Sequence, residues 1–225
     1  MDPRDPQAFA NAIQDNTRLV FGETLGNPSL DVLNIPAIAE VAHAAGLPLM
    51  VDSTTTTPYL IKPFDLGADI IQHSATKFLS GHGIVIGGLL VDSGQFDWEA
   101  SGKFPTLSEP YEGFHNLIFT EEFGPAAMIQ RARKEGLRDF GACMAPTSAF
   151  HILQGIETLS VRMSRHVENT RTITSFLLEQ KQVTRVGYPE LDGHPDQALA
   201  SELLPNGCGA VFSFDLAGGR EAGIA

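Results

Sequence analysis

The chain has 225 residues, 43% hydrophobic and only 19% charged, which is enough apolar material for a core and excludes wholesale disorder. Fifteen Lys and Arg against 27 Asp and Glu leave a formal charge of −12, which repels phosphate backbones and anionic lipid and argues against nucleic-acid or membrane-surface partners. The polar opening Met1-Asp2-Pro3-Arg4 and apolar runs as short as Ile84 to Val91 argue against a secretory signal and a bilayer span, so a cytoplasmic chain is expected.

The first half alternates short apolar runs with helical periodicity, the pattern of strand-helix-strand units feeding a parallel sheet. Thr17 to Glu23 predicts a strand. From Ile35 to Ala45 the apolar positions recur at helical spacing, with Asn34 as N-cap, Pro36 in the first turn and Gly46 just past the end. Leu47 to Val51 reads as a buried strand stopping at Asp52, followed by Ser53 and four threonines as a polar loop. Gly67 to His73 repeats the pattern and ends in Ser74-Ala75-Thr76-Lys77; Ile84 to Val91 repeats it again.

Ser101 to Asp139 mixes aromatics, prolines and glycines without sustained periodicity and predicts a long excursion over the surface. From Thr147 to Gln182 a helical stretch follows, with Gly155 weakening one turn and permitting a bend. Val183 to Tyr188 and Ala210 to Leu216 read as strands of a smaller α+β unit, and the chain stops in what reads as the start of another helix, which predicts truncation. The expected domains are a cofactor-type large domain over 1–150, an interdomain helix over 151–182 and a partial small domain over 183–225. Cys143 and Cys208 lack a CxxC spacing and are read as reduced packing residues. The seven histidines form no HExxH pair or Cys/His cluster, so no metal is expected; His73, His82 and His151 are read as packed or hydrogen-bonded, and Met144 and Met163 as core.

Each predicted strand hands over to polar residues at its carboxyl end, the edge at which open α/β sheets bind ligands. Asp52 ends one strand and Ser74-Ala75-Thr76-Lys77 another. A lysine at the apolar-to-polar boundary of a sheet is partly desolvated, which favours the neutral amine that forms Schiff bases. The Ser74 and Thr76 hydroxyls, separated by Ala75, are placed to share one side of the backbone and bind an anion. A carboxylate such as Asp52 beside a pyridine nitrogen holds that nitrogen protonated. Singly, an Asp after a strand is commonly a turn or cap and a Lys there a solvated charge, and spacing alone does not decide between these readings.

The segment Val51-Asp52-Ser53-Thr54, with Gly67-Ala68-Asp69-Ile70-Ile71-Gln72-His73-Ser74-Ala75-Thr76-Lys77-Phe78-Leu79-Ser80-Gly81-His82, resembles the cofactor core of the Cys/Met-metabolism pyridoxal-phosphate enzymes, the cystathionine gamma-synthase-like family. Glu23-Thr24-Leu25-Gly26-Asn27-Pro28 resembles that family's asparagine loop, and Leu159-Ser160-Val161-Arg162-Met163-Ser164-Arg165-His166 its interdomain helix. The resemblance implies a type I pyridoxal-phosphate fold: an α/β large domain with a mostly parallel sheet, plus the start of a small α+β domain. It implies pyridoxal 5'-phosphate linked covalently to Lys77, Asp52 on the pyridine nitrogen, and Ser74 and Thr76 on the phosphate. It further implies Asn27 on the phenolic oxygen, Thr55 beside the ring and Glu23 near the substrate end.

The wording of the 101–139 excursion resembles the insertion of the O-acetylhomoserine sulfhydrylase branch. This implies γ-replacement in methionine biosynthesis, O-acetyl-L-homoserine and sulfide or a thiol giving L-homocysteine and acetate, in a homo-oligomer. Two alternatives remain within the family: a cystathionine gamma-synthase or methionine gamma-lyase type, and a truncated, inactive subunit that acts only as an assembly partner. Outside it, Ser74-Ala75-Thr76-Lys77 also fits the S-x-x-K pattern of serine acyl-transferring enzymes, but neither S-D-N nor K-T-G occurs in the chain.

Overall fold

A computed structural model describes residues 2–224. After helix α1 (Pro6–Ala12), a four-stranded sheet is built in the order β1 (Val20–Glu23), β2 (Leu49–Asp52), β3 (Ile70–Ser74) and β4 (Gly88–Asp92). The first three strands run parallel and β4 is antiparallel to β3, so the architecture is mixed α/β with a mostly parallel sheet. The strands begin later than the apolar runs do: Thr17, Leu47, Gly67 and Ile84 all lie outside them. Apolarity marks burial, whereas the ladder begins only where a neighbour lies alongside to pair.

Helix α2 (Ile35–Ala44) crosses from β1 to β2 as expected. The Asn34 side chain accepts from Ala37 N, Pro36 occupies the first turn, and Gly46 takes the left-handed φ of 63° that ends it. Its Ile35, Ile38, Ala39 and Ala42 pack on Val20, Leu49 and Val51 of the sheet. The threonine run is no solvated loop: Thr56 and Thr57 are buried, and α3 (Thr57–Leu60) starts within it. Thr24, Thr56 and Ser53 share a chain of hydroxyl contacts of 2.9 Å each, which satisfies buried polar atoms the sheet ladder does not reach.

The 101–139 excursion is not irregular. It folds into short helices α4 (Pro105–Ser108), α5 (Phe119–Phe123), α6 (Ala127–Arg131) and α7 (Arg138–Phe140) around a core of its own, in which Trp98, Leu107, Phe119 and Ala127 meet Ile70 of β3. Trp98 and Phe104 pack edge to face at 4.9 Å, and the Arg131 guanidinium lies 4.0 Å above the Tyr111 ring.

The long helical stretch is two helices, α8 (Pro146–Glu157) and α9 (Leu159–Leu178), broken at Thr158 rather than at Gly155. Gly155 serves close approach instead: a Cβ there would collide with the carbonyl oxygens of Leu79 and Ser80. Beyond α9, β5 (Val183–Gly187) pairs antiparallel with β6 (Ser213–Leu216), which starts three residues after the apolar run does. Helix α10 (Gln197–Leu203) lies between them and α11 (Gly219–Ile224) follows. Tyr188, Ala200, Leu203, Leu204 and Cys208 join the same core as α2 and the sheet. Cys208 and Met163 are buried as expected, whereas Cys143 and Met144 are exposed, because the 141–145 segment that carries them packs against nothing on its outer side. No described helix is long and apolar enough to cross a membrane.

Candidate active site

The register of the sheet sets one wall of the site. Glu23 pairs with Asp52 across β1 and β2, and Asp52 with Gln72 across β2 and β3, so three polar side chains stand in a row on one face at the carboxyl edge. Asp52 is held within its own strands: Oδ1 accepts from Thr54 N at 2.8 Å and Oδ2 from Gln72 Nε2 at 3.2 Å. Each oxygen keeps a lone pair for a further donor. Thr54 extends the brace, its Oγ1 accepting from Ser74 N at 2.8 Å and so tying the end of β2 to the end of β3.

Beneath this row His73 is buried, its Nδ1 3.1 Å from Ser53 O. Burial holds its imidazole below the usual histidine range, against the opposing pulls of the Ser53 carbonyl and the Asp52 charge.

β3 hands over to a π-helical turn, Ala75–Leu79, broken at Lys77 by a non-helical φ/ψ of −93°, −121°. Ser74 therefore both closes the strand and caps the turn. Among the described residues its hydroxyl makes no hydrogen bond and stays available as a donor. Thr76 is engaged: Oγ1 accepts from Gly87 N at 3.0 Å and donates to Gly87 O at 3.3 Å, so binding an anion costs it the contact with Gly87 O. Lys77 is exposed, not partly desolvated, because its turn begins after β3 has ended and carries it beyond the strand.

All seven residues singled out from the sequence line one cavity of about 680 Å³: Glu23, Asn27, Asp52, Thr55, Ser74, Thr76 and Lys77. That volume lies in the range of small-molecule sites. Sequence reasoning gave no role to other residues of the wall, namely Arg162 and His166 from α9, Phe78 beside the lysine, and Val211. Val211 reaches it because Gly209, at φ 79°, passes so near Thr55 O that a Cβ would lie 3.0 Å from it, while Tyr188 donates to Gly209 O at 3.1 Å. For Arg162 and His166 the available signal was the motif Leu159 to His166, which places both on one helix face four residues apart.

The donor set fits a phosphorylated pyridine aldehyde. It offers an exposed amine, a carboxylate braced but not saturated, a free hydroxyl and an amide from Asn27, all on one concave surface, which is what such a group needs at its aldehyde, ring nitrogen, phosphate and phenolic oxygen. No described group of three or more His, Cys, Asp and Glu is placed to hold a metal ion.

Comparison with known proteins agrees with this chemistry. The family model of Cys/Met metabolism PLP-dependent enzymes matches residues 1–224. A homocysteine synthase of Schizosaccharomyces pombe is 48% identical over 96% of the chain and 51% of its own length, and an O-acetyl-L-homoserine sulfhydrylase of Leptospira meyeri is 43% identical over 98% and 52%. A solved Campylobacter jejuni structure described as an O-acetylhomoserine (thiol)-lyase, containing N'-pyridoxyl-lysine-5'-monophosphate, superposes with a TM-score of 0.92 at 30% identity, over 96% of this chain and 54% of that one. The chain spans about half the length of the curated relatives it matches.

Proposed function

We propose, from the premise that this chain belongs to the Cys/Met metabolism PLP-dependent enzymes, that its cavity is the lysine-and-aspartate side of an O-acetylhomoserine sulfhydrylase active site. The reaction is γ-replacement: sulfide or a thiol takes the place of acetate on O-acetyl-L-homoserine and yields L-homocysteine, a step of methionine biosynthesis. The observation that carries the reading is the convergence of all seven residues on one cavity from β1, β2, β3 and the loops that follow them.

Pyridoxal 5'-phosphate bound there would supply a protonated ring that stores the electrons released at substrate carbon. Lys77 would hold the group covalently and, once its amine is free, would take the proton from Cα of the substrate, pass it on to the bound group, and so be a free base again for a proton of Cβ, after which acetate can depart from Cγ with its bonding electrons. Its exposed stem leaves the amine room to serve both carbons. Asp52 would keep a proton on the ring nitrogen with the lone pairs that Thr54 and Gln72 leave open. Ser74 would donate its free hydroxyl to the phosphate, and Thr76 would do so by releasing Gly87 O. Asn27 would donate to the phenolic oxygen, Thr55 would flank the ring, and Glu23, in register beside Asp52, would serve the substrate end. A homo-oligomer in the cytoplasm is part of this proposal.

The test is an absorbance titration of the purified protein with pyridoxal phosphate, followed by borohydride reduction and peptide mapping. The expected result is a visible band that places the cofactor mass on the Lys77 peptide and vanishes in Lys77→Ala. Asp52→Asn should weaken binding about 10- to 100-fold, the worth of a charge-assisted hydrogen bond. A band indifferent to Lys77→Ala rejects the assignment, and turnover of cystathionine in preference to O-acetylhomoserine plus sulfide rejects the branch.

A further inference from the structure

The turn that carries Lys77 ends in carbonyls that its own backbone leaves open. Ser80 N and Gly81 N go back to Ala75 O and Lys77 O, which leaves Phe78 O and Leu79 O without backbone donors. Both are met by one side chain from 84 residues further along the chain: Arg162 donates from Nη1 to Phe78 O at 2.9 Å and from Nη2 to Leu79 O at 3.4 Å. The same guanidinium fastens itself to the α8–α9 junction, with Nη2 on Gly155 O at 2.7 Å and Nε on Thr158 Oγ1 at 3.1 Å.

No carboxylate lies within ion-pair distance of Arg162 among the described residues; its partners are neutral oxygens, and burial lowers its affinity for its proton. One turn on, the His166 ring meets the Phe78 ring edge to face at 5.6 Å. Two glycines make room for the clasp: a Cβ on Gly81 would overlap the guanidinium, and a Cβ on Gly155 would overlap the carbonyls of Leu79 and Ser80.

We infer that Arg162 is a positioning residue for Lys77: by supplying the missing donors to Phe78 O and Leu79 O, it fixes the turn that presents the lysine amine to the cavity. Lysine cannot replace it, because a single ammonium cannot fan out to three carbonyls and a hydroxyl from one plane. The inference rests on the reading of Lys77 as the cofactor-bearing residue, and the experiment separates the two.

Amide hydrogen exchange is measured on the cofactor-free protein for wild type, Arg162→Met, Arg162→Lys and Leu159→Ala, the last a buried apolar neighbour on the same helix that shares the cluster of Ala75 and Leu79 and has no donor for these carbonyls. Exchange at the amides of residues 78–81 should quicken about tenfold or more in Arg162→Met and less in Arg162→Lys, with β2 and β3 unchanged. In the loaded protein the same series should slow attachment of pyridoxal phosphate to Lys77 and shift the pH at which the visible band half-converts, with Arg162→Lys in between and Leu159→Ala near wild type. Unchanged exchange in Arg162→Met, or an equal change in Leu159→Ala, overturns the inference. If wild type forms no band on Lys77, the reading of the lysine fails while the exchange result still decides whether Arg162 holds the turn.

Discussion

The two sides of the cavity are built in opposite ways. The carboxylate side is assembled from immediate neighbours: Asp52 lies in a strand and is braced by Thr54 two residues on and by Gln72 on the adjoining strand, whose next residue is the buried His73. The lysine side hangs beyond the sheet on an irregular turn whose carbonyls are held by a helix that belongs, in sequence, to another part of the chain. The difference matches the tasks assigned to them. A group that keeps a proton on a ring nitrogen must not move, whereas an amine that reaches two substrate carbons must, and its mobility can be set from outside without disturbing the sheet.

The sharpest way to break this contrast is Gly155→Ala, where the added methyl must displace the carbonyls of Leu79 and Ser80. Such overpacking against backbone should cost about 1–3 kcal/mol in chemical denaturation. Hydrogen exchange should loosen at residues 78–81 and stay slow in β2; loss of protection across both sides alike would mean that they are one unit after all. On the other side, Thr54→Val removes the acceptor of Ser74 N and should cost about 1 kcal/mol, with faster exchange at that amide and none at 78–81.

The smallest effect is a pH dependence. His73 is held below its ordinary value of 6.5 by burial, so on acidification through that value the unfolded chain binds a proton that the native chain refuses. Stability should therefore fall as pH drops below about 6.5, level off once the buried ring itself protonates, and show less of this slope in His73→Gln. Denaturation midpoints at pH 8 and pH 5.5 measure it, and an unaltered slope in the variant removes His73 as the source.

How legible each side was follows from the same geometry. Helix α2 and the rim residues could be read because their signals are local: a cap and a proline set one boundary, and an apolar run that turns polar marks a strand's carboxyl end. Asp52, Ser74 and Lys77 stand at such ends, and motif resemblance added Asn27, Thr55 and Glu23. Arg162 and Gly155 could not be assigned, since what they do depends on Phe78, Leu79 and Ser80 lying beside them in space, and a glycine inside a helix looks the same whether it permits a bend or an approach. The 101–139 helices escaped notice because they are held by aromatic and cation–π contacts at irregular spacing, Trp98 on Phe104 and Arg131 over Tyr111, which no 3.6-residue period records.

The span between Lys77 and Arg162 also has a consequence for biosynthesis. During translation the strands that carry Asp52 emerge and can pair while α9 is still inside the ribosome, so the nascent polypeptide holds a preformed carboxylate before its lysine has been set. On the proposed role of Lys77, competence to capture the cofactor would then arise late, when residue 162 docks on the turn.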